Sequence, residues 1–183
     1  VNLSNPLLKL PWEAFHMHAD HDGNVWLASA PSFRISPEGK EFTFGQRESI
    51  RYVYEDSTGH VWFGVSSRGI GYLDGDSLKY LKFGDFSFSG HNISSVKKIN
   101  GNEWLLTSFN TGLIWIDSRG AVTTIYDTLG YPGIGAFITY QDRYGSFWVA
   151  STNGLFYFNG TTFIKIKDHH AYLNTSFFEI VDD

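Results

Sequence analysis

Eight residues of the 183-residue chain have side chains and loop settings suited to holding a ligand: Arg47, Arg68, His91, Asn110, Tyr131, His169, His170 and Tyr172. Aromatic rings beside hydrogen-bonding groups suit a sugar, whose apolar ring face stacks while its hydroxyls take polar partners. Spacing argues against other chemistries. His16-x-His18 puts two imidazoles on one side of a strand and His169-His170 adds a pair, but no third ligand is tied to either, so no metal site is expected. Gly133-x-Gly135 begins a dinucleotide fingerprint, yet position 138 is Ile and no helical pattern follows. Asp20-His-Asp22-Gly23-Asn24 lacks the spacing and terminal Glu of a calcium loop. Asn159-Gly-Thr161 has the form of a glycosylation sequon and reads more simply as a hairpin turn. Glu48, Asp85, Asp127 and Asp168 fall one to a loop, not in the pairs that acid–base catalysis uses. Neither a catalytic residue nor a cofactor is expected.

Composition bounds what can position these groups. With 16 Phe, 10 Tyr and 6 Trp in a chain that is 42% hydrophobic, there is ample material for a packed core. The absence of Cys excludes disulfide staples and thiolate metal sites. A net charge of −5 without a basic run excludes the counterion-releasing patch that nucleic-acid binding needs. No apolar run approaches the roughly 18 to 20 residues of a membrane span, so no membrane contact is expected within this segment.

The positioning elements repeat. Asp20-x-x-Gly23-x-x-Trp26, Asp56-x-x-Gly59-x-x-Trp62, Asn100-Gly101-x-x-Trp104 and Asp142-x-x-Gly145-x-x-Trp148 align, with Trp spacings of 36, 42 and 44 residues. That period matches one four-stranded propeller blade per repeat. Each turn leads to an aromatic-aliphatic run (Gly69 to Leu73, Gly112 to Ile116, Gly154 to Phe158, with Phe33 to Ile35 as a degenerate first copy), then a polar hairpin turn and a fourth short run. The expected fold is all-β, in blades of four antiparallel strands with almost no helix. The repeats run over residues 14–49, 50–92, 93–135 and 136–176.

Structural roles account for the recurring residues. Asp20, Asp56 and Asp142 cap a turn that Gly23, Gly59 and Gly145 close at positive φ. The third copy reads as one residue shorter, with Asn100-Gly101 forming a type I′ pair. One Trp per repeat fills the wedge between neighbouring blades. Phe177 and Ile180 stand to Asp183 as Ile50 and Val53 stand to Asp56, so residues 177–183 read as the first strand of a fifth repeat. This strand belongs either to further blades of a longer propeller, the favoured reading, or to a ring closure against the first blade.

In such a blade the connections from strand two to three and from strand four to the next blade emerge on one face. The eight candidate residues all lie in these connections, while the opposite face is expected to hold only tight turns.

The pattern Asp-x-x-Gly-x-x-Trp-aliphatic-small-Ser/Thr followed by Gly-Leu-aromatic-aromatic, clearest in residues 142–158 and 56–73, resembles the two-component regulator propeller repeat. The loop from Asp127 to Gly135 is similar to that family's connector between blades. The resemblance covers residues 14–183 and implies a periplasmic, non-catalytic input segment of a sensor histidine kinase, often one that detects carbohydrate breakdown products. It implies as partners an oligosaccharide or other small-molecule ligand, the remaining blades of a parent chain, and a second copy in a homodimer. A propeller lyase or glycosidase and a protein-interaction scaffold are the competing expectations.

Overall fold

The computed structural model describes residues 14–99, 101–125, 128–133 and 135–167. Sixteen strands form four antiparallel sheets of four, each built from strands consecutive in sequence. The first blade holds β1 (His16–Ala19), β2 (Val25–Ala28), β3 (Ser32–Ile35) and β4 (Glu41–Phe44). The second holds β5 (Ile50–Glu55), β6 (Val61–Val65), β7 (Gly69–Asp74) and β8 (Ser77–Tyr80). In the third are β9 (Ile93–Lys98), β10 (Trp104–Ser108), β11 (Gly112–Ile116) and β12 (Val122–Ile125). The fourth has β13 (Ala136–Gln141), β14 (Phe147–Ser151), β15 (Gly154–Phe158) and β16 (Phe163–Lys165). No helix occurs among the described residues, and the arrangement is a β-propeller of four blades. The segment 177–183 expected to start a fifth repeat lies outside the described residues.

The core sits in the wedges between sheets. Trp26, Phe44 and Ile50 pack with Val53, Phe63 and Val65 between the first two blades. Ile70, Ile93 and Val96 join Trp104, Leu106 and Ile114 between the second and third. Leu105, Leu113 and Ile125 meet Phe147, Val149 and Phe156 between the third and fourth. Inner strands of the second and third blades thus send alternate side chains to opposite wedges, so runs such as Trp104 to Leu106 are apolar at every position and buried on both faces.

Strand register corrects the alignment of the third repeat. Trp62 pairs with Tyr72 and Trp148 with Tyr157, but the residue facing Trp115 at the same distance from the next loop is Leu105, not Trp104. Leu105 points into the wedge toward the fourth blade, whereas Trp104 points back and meets Trp62 edge-on, with ring centroids 4.8 Å apart. The third repeat is therefore not shortened. Its turn has the same span as the others, Ile99 N–H to Glu103 O at 2.9 Å against Asp56 N–H to His60 O at 2.9 Å, with Ile99 in the place of the Asp. The Trp has moved one position along the strand and so to the other face, and it still fills a wedge.

The Asp residues act as the sequence reading expects of a turn. Asp20 Oδ1 accepts from Asn24 N–H at 2.8 Å, Asp56 Oδ1 from His60 N–H at 3.1 Å and Asp142 Oδ1 from Ser146 N–H at 2.9 Å. Gly59 closes its turn at φ +83°, where a side chain would be strained. In each case the second carboxylate oxygen accepts the indole N–H of the Trp six residues on: 2.7 Å at Trp26, 2.9 Å at Trp62 and 3.0 Å at Trp148.

Candidate functional site

The innermost strands of the second, third and fourth blades each carry one extra residue near the loop end. Pairing skips Arg51 between Ile50 and Tyr52, Ser94 between Ile93 and Ser95, and Phe137 between Ala136 and Ile138. Phe15 takes the same place in the first blade, its N–H donating to Ala28 O at 2.8 Å beside the His16–Ala28 pair. Phe15, Arg51, Ser94 and Phe137 all stand eleven residues ahead of the position occupied by Trp26, Trp62, Leu105 and Trp148. A bulge turns a side chain out of the regular alternation, and here it aims one residue per blade at the propeller axis.

There the four residues line a cavity of about 170 Å³ together with His16, Tyr52, Ile138 and Phe109, the last from the β10–β11 loop. Arg51 lies with its guanidinium carbon 4.5 Å from the centroid of Phe15 and 5.5 Å from that of Phe109, and Phe109 meets Phe137 edge-on at 5.4 Å. Arg51 Nε donates to Ser66 Oγ at 3.3 Å. His16 packs against Tyr52 with ring centroids 4.2 Å apart and planes tilted by 38°. Burial, and then the neighbouring His18, push the His16 imidazole down to about 4, with the Val53 backbone opposing, so the ring is neutral at pH 7. Its Nδ1 is buried without a hydrogen-bond partner among the described residues.

One side of the cavity is braced by hydroxyls. Ser94 Oγ donates to Ala136 O at 2.7 Å and bonds Thr107 Oγ1 at 2.8 Å, while Thr107 Oγ1 also reaches Ser95 Oγ at 2.7 Å and Phe137 O at 3.1 Å. These buried groups tie the third blade to the fourth at the axis.

The expected site residues that are described do not assemble into one site. His91 and Asn110 do come together: His91 Nδ1 bonds Thr111 Oγ1 at 2.9 Å, and Asn110 accepts from Asn92 N–H at 2.9 Å and donates to Gly90 O at 2.8 Å. They latch the loop after β8 to the β10–β11 loop. Arg68 lies in an adjoining shallow groove of about 330 Å³ with Tyr80 and Phe86, 3.7 Å from Glu48 and 5.8 Å from the Tyr80 ring, and Phe86 also packs on His91 with centroids 5.6 Å apart. Arg47 is exposed. Tyr131 is 1% exposed and packs on Phe156 and Phe163, because its loop folds inward over the third wedge; it is a core residue, and a ligand on the loop face does not reach it. His169, His170 and Tyr172 lie outside the described residues.

The axial residues were missed because each looks unremarkable within its own repeat. Their shared offset from the recurring Trp was the available signal, hidden in the third copy by the displaced Trp104.

The opposite face carries tight turns, as expected, and a groove of about 320 Å³ runs there between the second and third blades. Lys98 lies 3.4 Å from Asp56 Oδ2 and over the rings of both Trp62 and Trp104, and burial pushes the Lys97 ammonium down from its ordinary value. Among the described residues no cluster of three potential metal ligands occurs.

No protein-family model matches the chain and no curated protein matches it. Solved structures do. The chain is similar to virginiamycin B lyase from Staphylococcus aureus, with a TM-score of 0.62 and 18% identity over 85% of this chain and 56% of that one. It is also similar to the extracellular domain of a protein described as a one component system from B. thetaiotaomicron, with a TM-score of 0.64 and 14% identity over 80% and 24% of the two chains. A third likeness, to an extracellular domain described as part of a hybrid two component system from the same organism, has a TM-score of 0.51 and 14% identity over 88% and 31%. The chain thus spans about half of the lyase and a quarter to a third of the extracellular domains. At these identities the likeness establishes the β-propeller fold.

Proposed function

We propose that the chain is a ligand-binding segment of an extracytoplasmic sensory propeller, and that its ligand enters the axial cavity from the loop face. The observation that carries this reading is the set of three bulge positions and the equivalent Phe15, which deliver one side chain from each of the four blades to one place. Wedge packing does not require them. The aromatic lining with interspersed hydrogen-bonding groups suits a saccharide ring, in keeping with the sequence resemblance and the extracellular domains among the similar structures. The cavity holds about 170 Å³, the share of roughly six waters, which is the scale of a single sugar ring. In this reading the kinase and further blades belong to the rest of a parent protein. The forward face of the fourth blade, where Trp148 and Tyr157 meet at a tilt with ring centroids 5.1 Å apart, is the surface on which another blade would continue the wedge pattern.

A lyase is the second reading, and His16 is the group that would serve it, as a neutral imidazole in the cavity wall. A ring held near pKa 4 is a weak base at neutral pH, and no carboxylate among the lining residues orients it. We therefore place binding first. Thermal-shift screening of the full chain against mono- and oligosaccharides, with mass spectrometry of the recovered ligand, separates the two. A stabilising ligand recovered unchanged supports sensing, turnover establishes the lyase, and the absence of any stabilising saccharide removes the saccharide reading.

A further inference from the structure

We propose that the axial cavity selects a ligand bearing a carboxylate on a ring with an apolar face, and that Arg51 takes the carboxylate. The inference rests on the axial cavity being the ligand site and adds the charge of what it holds.

Arg51 is the one formal charge among the cavity's lining residues, since His16 is neutral and the others are Phe, Tyr, Ser and Ile. Its guanidinium has five N–H donors in a rigid fork. The Nε donor goes to Ser66 Oγ, which leaves the four donors of the terminal nitrogens without an acceptor among the described residues. No carboxylate of those residues lies within ion-pair distance of it, although the chain as a whole is acidic at −5. Two other arginines are paired, Arg119 with Asp117 at 3.1 Å and Arg68 with Glu48 at 3.7 Å; Arg34, Arg47 and Arg143 also lack a carboxylate partner among the described residues, but none of them lines the axial cavity. A partly buried cation without a counter-charge is poorly compensated, and an incoming carboxylate supplies the missing charge and two acceptors in matching geometry.

The aromatic groups set the rest of the ligand. Phe15 and Phe109 flank Arg51 yet remain 44% and 38% exposed, so they keep open ring surface at the cavity mouth. An apolar ring face covers that surface while its carboxylate reaches the fork. A phosphate fits less well, because a dianion meets only one cation here. Two sources share the favoured chemistry, a sugar acid and an aromatic acid.

The test is calorimetric titration of the full 183-residue chain with D-galacturonate, D-galactose and benzoate. The first two have the same ring and differ at C6, a carboxylate against a hydroxymethyl group. We expect galacturonate to bind at least about tenfold more tightly than galactose, to weaken as salt is raised while galactose does not, and to lose its advantage in Arg51→Gln. Benzoate binding that also disappears in Arg51→Gln assigns the aromatic acid as a second source of the same chemistry. If Arg51→Gln loosens the blades, Arg51→Lys keeps the charge without the fork and should retain only part of the discrimination. Equal affinity for the two sugars, or discrimination unchanged in Arg51→Gln, overturns the carboxylate inference and leaves the cavity as a neutral-saccharide site. Failure of all three compounds to bind overturns this inference, while the wider saccharide screen still decides the reading on which it rests.

Discussion

The indole N–H of Trp62 donates to Asp56 Oδ2 at 2.9 Å, while Asp56 Oδ1 holds the backbone N–H groups of Thr58 and His60. A single carboxylate therefore closes the turn and fixes the ring that fills the next wedge. This explains why the two residues recur at a spacing of six in three of the four repeats, and why Trp104, with Ile99 at the turn instead, is free to lie one position away on the other face.

Asp56→Asn should cost about 1.5–3 kcal/mol, the range for hydrogen bonds to a charged group, read as a lowered urea midpoint. Burial pushes the Asp56 carboxyl up, but hydrogen bonds from Thr58, Trp62 and His60 outweigh it and hold the carboxyl well below its usual range. A carboxyl depressed on folding contributes stability that is full above its unfolded value of 3.8 and fades as pH falls below it. The deficit of Asp56→Asn relative to wild type should therefore be constant near neutrality and shrink below about pH 4. A deficit that persists undiminished at pH 2 would show that the charge is irrelevant.

His16, at the first joint, predicts a loss of stability on acidification that sets in at higher pH. His16 is held near 4 and His18 is also lowered, in both cases chiefly by burial, whereas His21 is raised by Glu55, Asp22 and the exposed ion pair it makes with Glu55. For His16 the unfolded chain takes up a proton near 6.5 and the folded one only near 4, so stability falls as pH drops between those values. His16→Phe keeps a ring against Tyr52 and removes the titration. Its melting temperature should depend less on pH between 6.5 and 4 than that of wild type, and an unaltered slope would clear His16 of the effect.

Much of the fold was legible because a propeller writes its packing into sequence at a fixed period: Asp-x-x-Gly turns, a Trp beyond each, and apolar runs buried on both faces. What misled was identity without register. Trp104 looks like Trp62 and Trp148 but faces the other wedge, and only the pairing of Leu105 with Trp115 reveals it. The site was less legible for a related reason. A bulge is a backbone event with no residue signature here, since Arg51, Ser94 and Phe137 share no chemistry, and loop polarity drew attention outward to Arg47 and Arg68 instead. Tyr131 was misplaced because a Gly- and Pro-containing loop reads as exposed, although this one turns its ring into the core.

The register correction can be tested directly. Trp104 is 3% exposed between two blades, so Trp104→Ala should cost about 3–5 kcal/mol. Leu105→Trp, which restores the recurring residue at its true structural position, should also destabilise, by about 1–3 kcal/mol, because Leu105 is fully buried in a filled wedge. Were Trp104 the equivalent of Trp148, the first change would be no worse than Trp148→Ala, where the ring is only partly buried on an outer face. Urea titration of the three variants ranks them.

The hydroxyl brace at the axis gives the last expectation. Thr107 Oγ1 stands within hydrogen-bond distance of Ser94 Oγ, Ser95 Oγ and Phe137 O, and Thr107, Ser94 and Ser95 are all buried. Thr107→Val keeps the shape and removes the hydroxyl that Ser94 Oγ, Ser95 Oγ and Phe137 O share, at a cost of about 1–3 kcal/mol. The loss should be local as well as global, because the brace is what joins β9 and β10 to β13 at the cavity. Amide exchange should therefore accelerate at Thr139, whose N–H donates to Ser95 Oγ at 3.3 Å, more than at Val53 across the propeller. Thr107→Ser, which retains the hydroxyl, should restore slow exchange at Thr139. Uniform acceleration at both amides, unrelieved by serine, would assign the effect to the lost volume and remove the brace from the account.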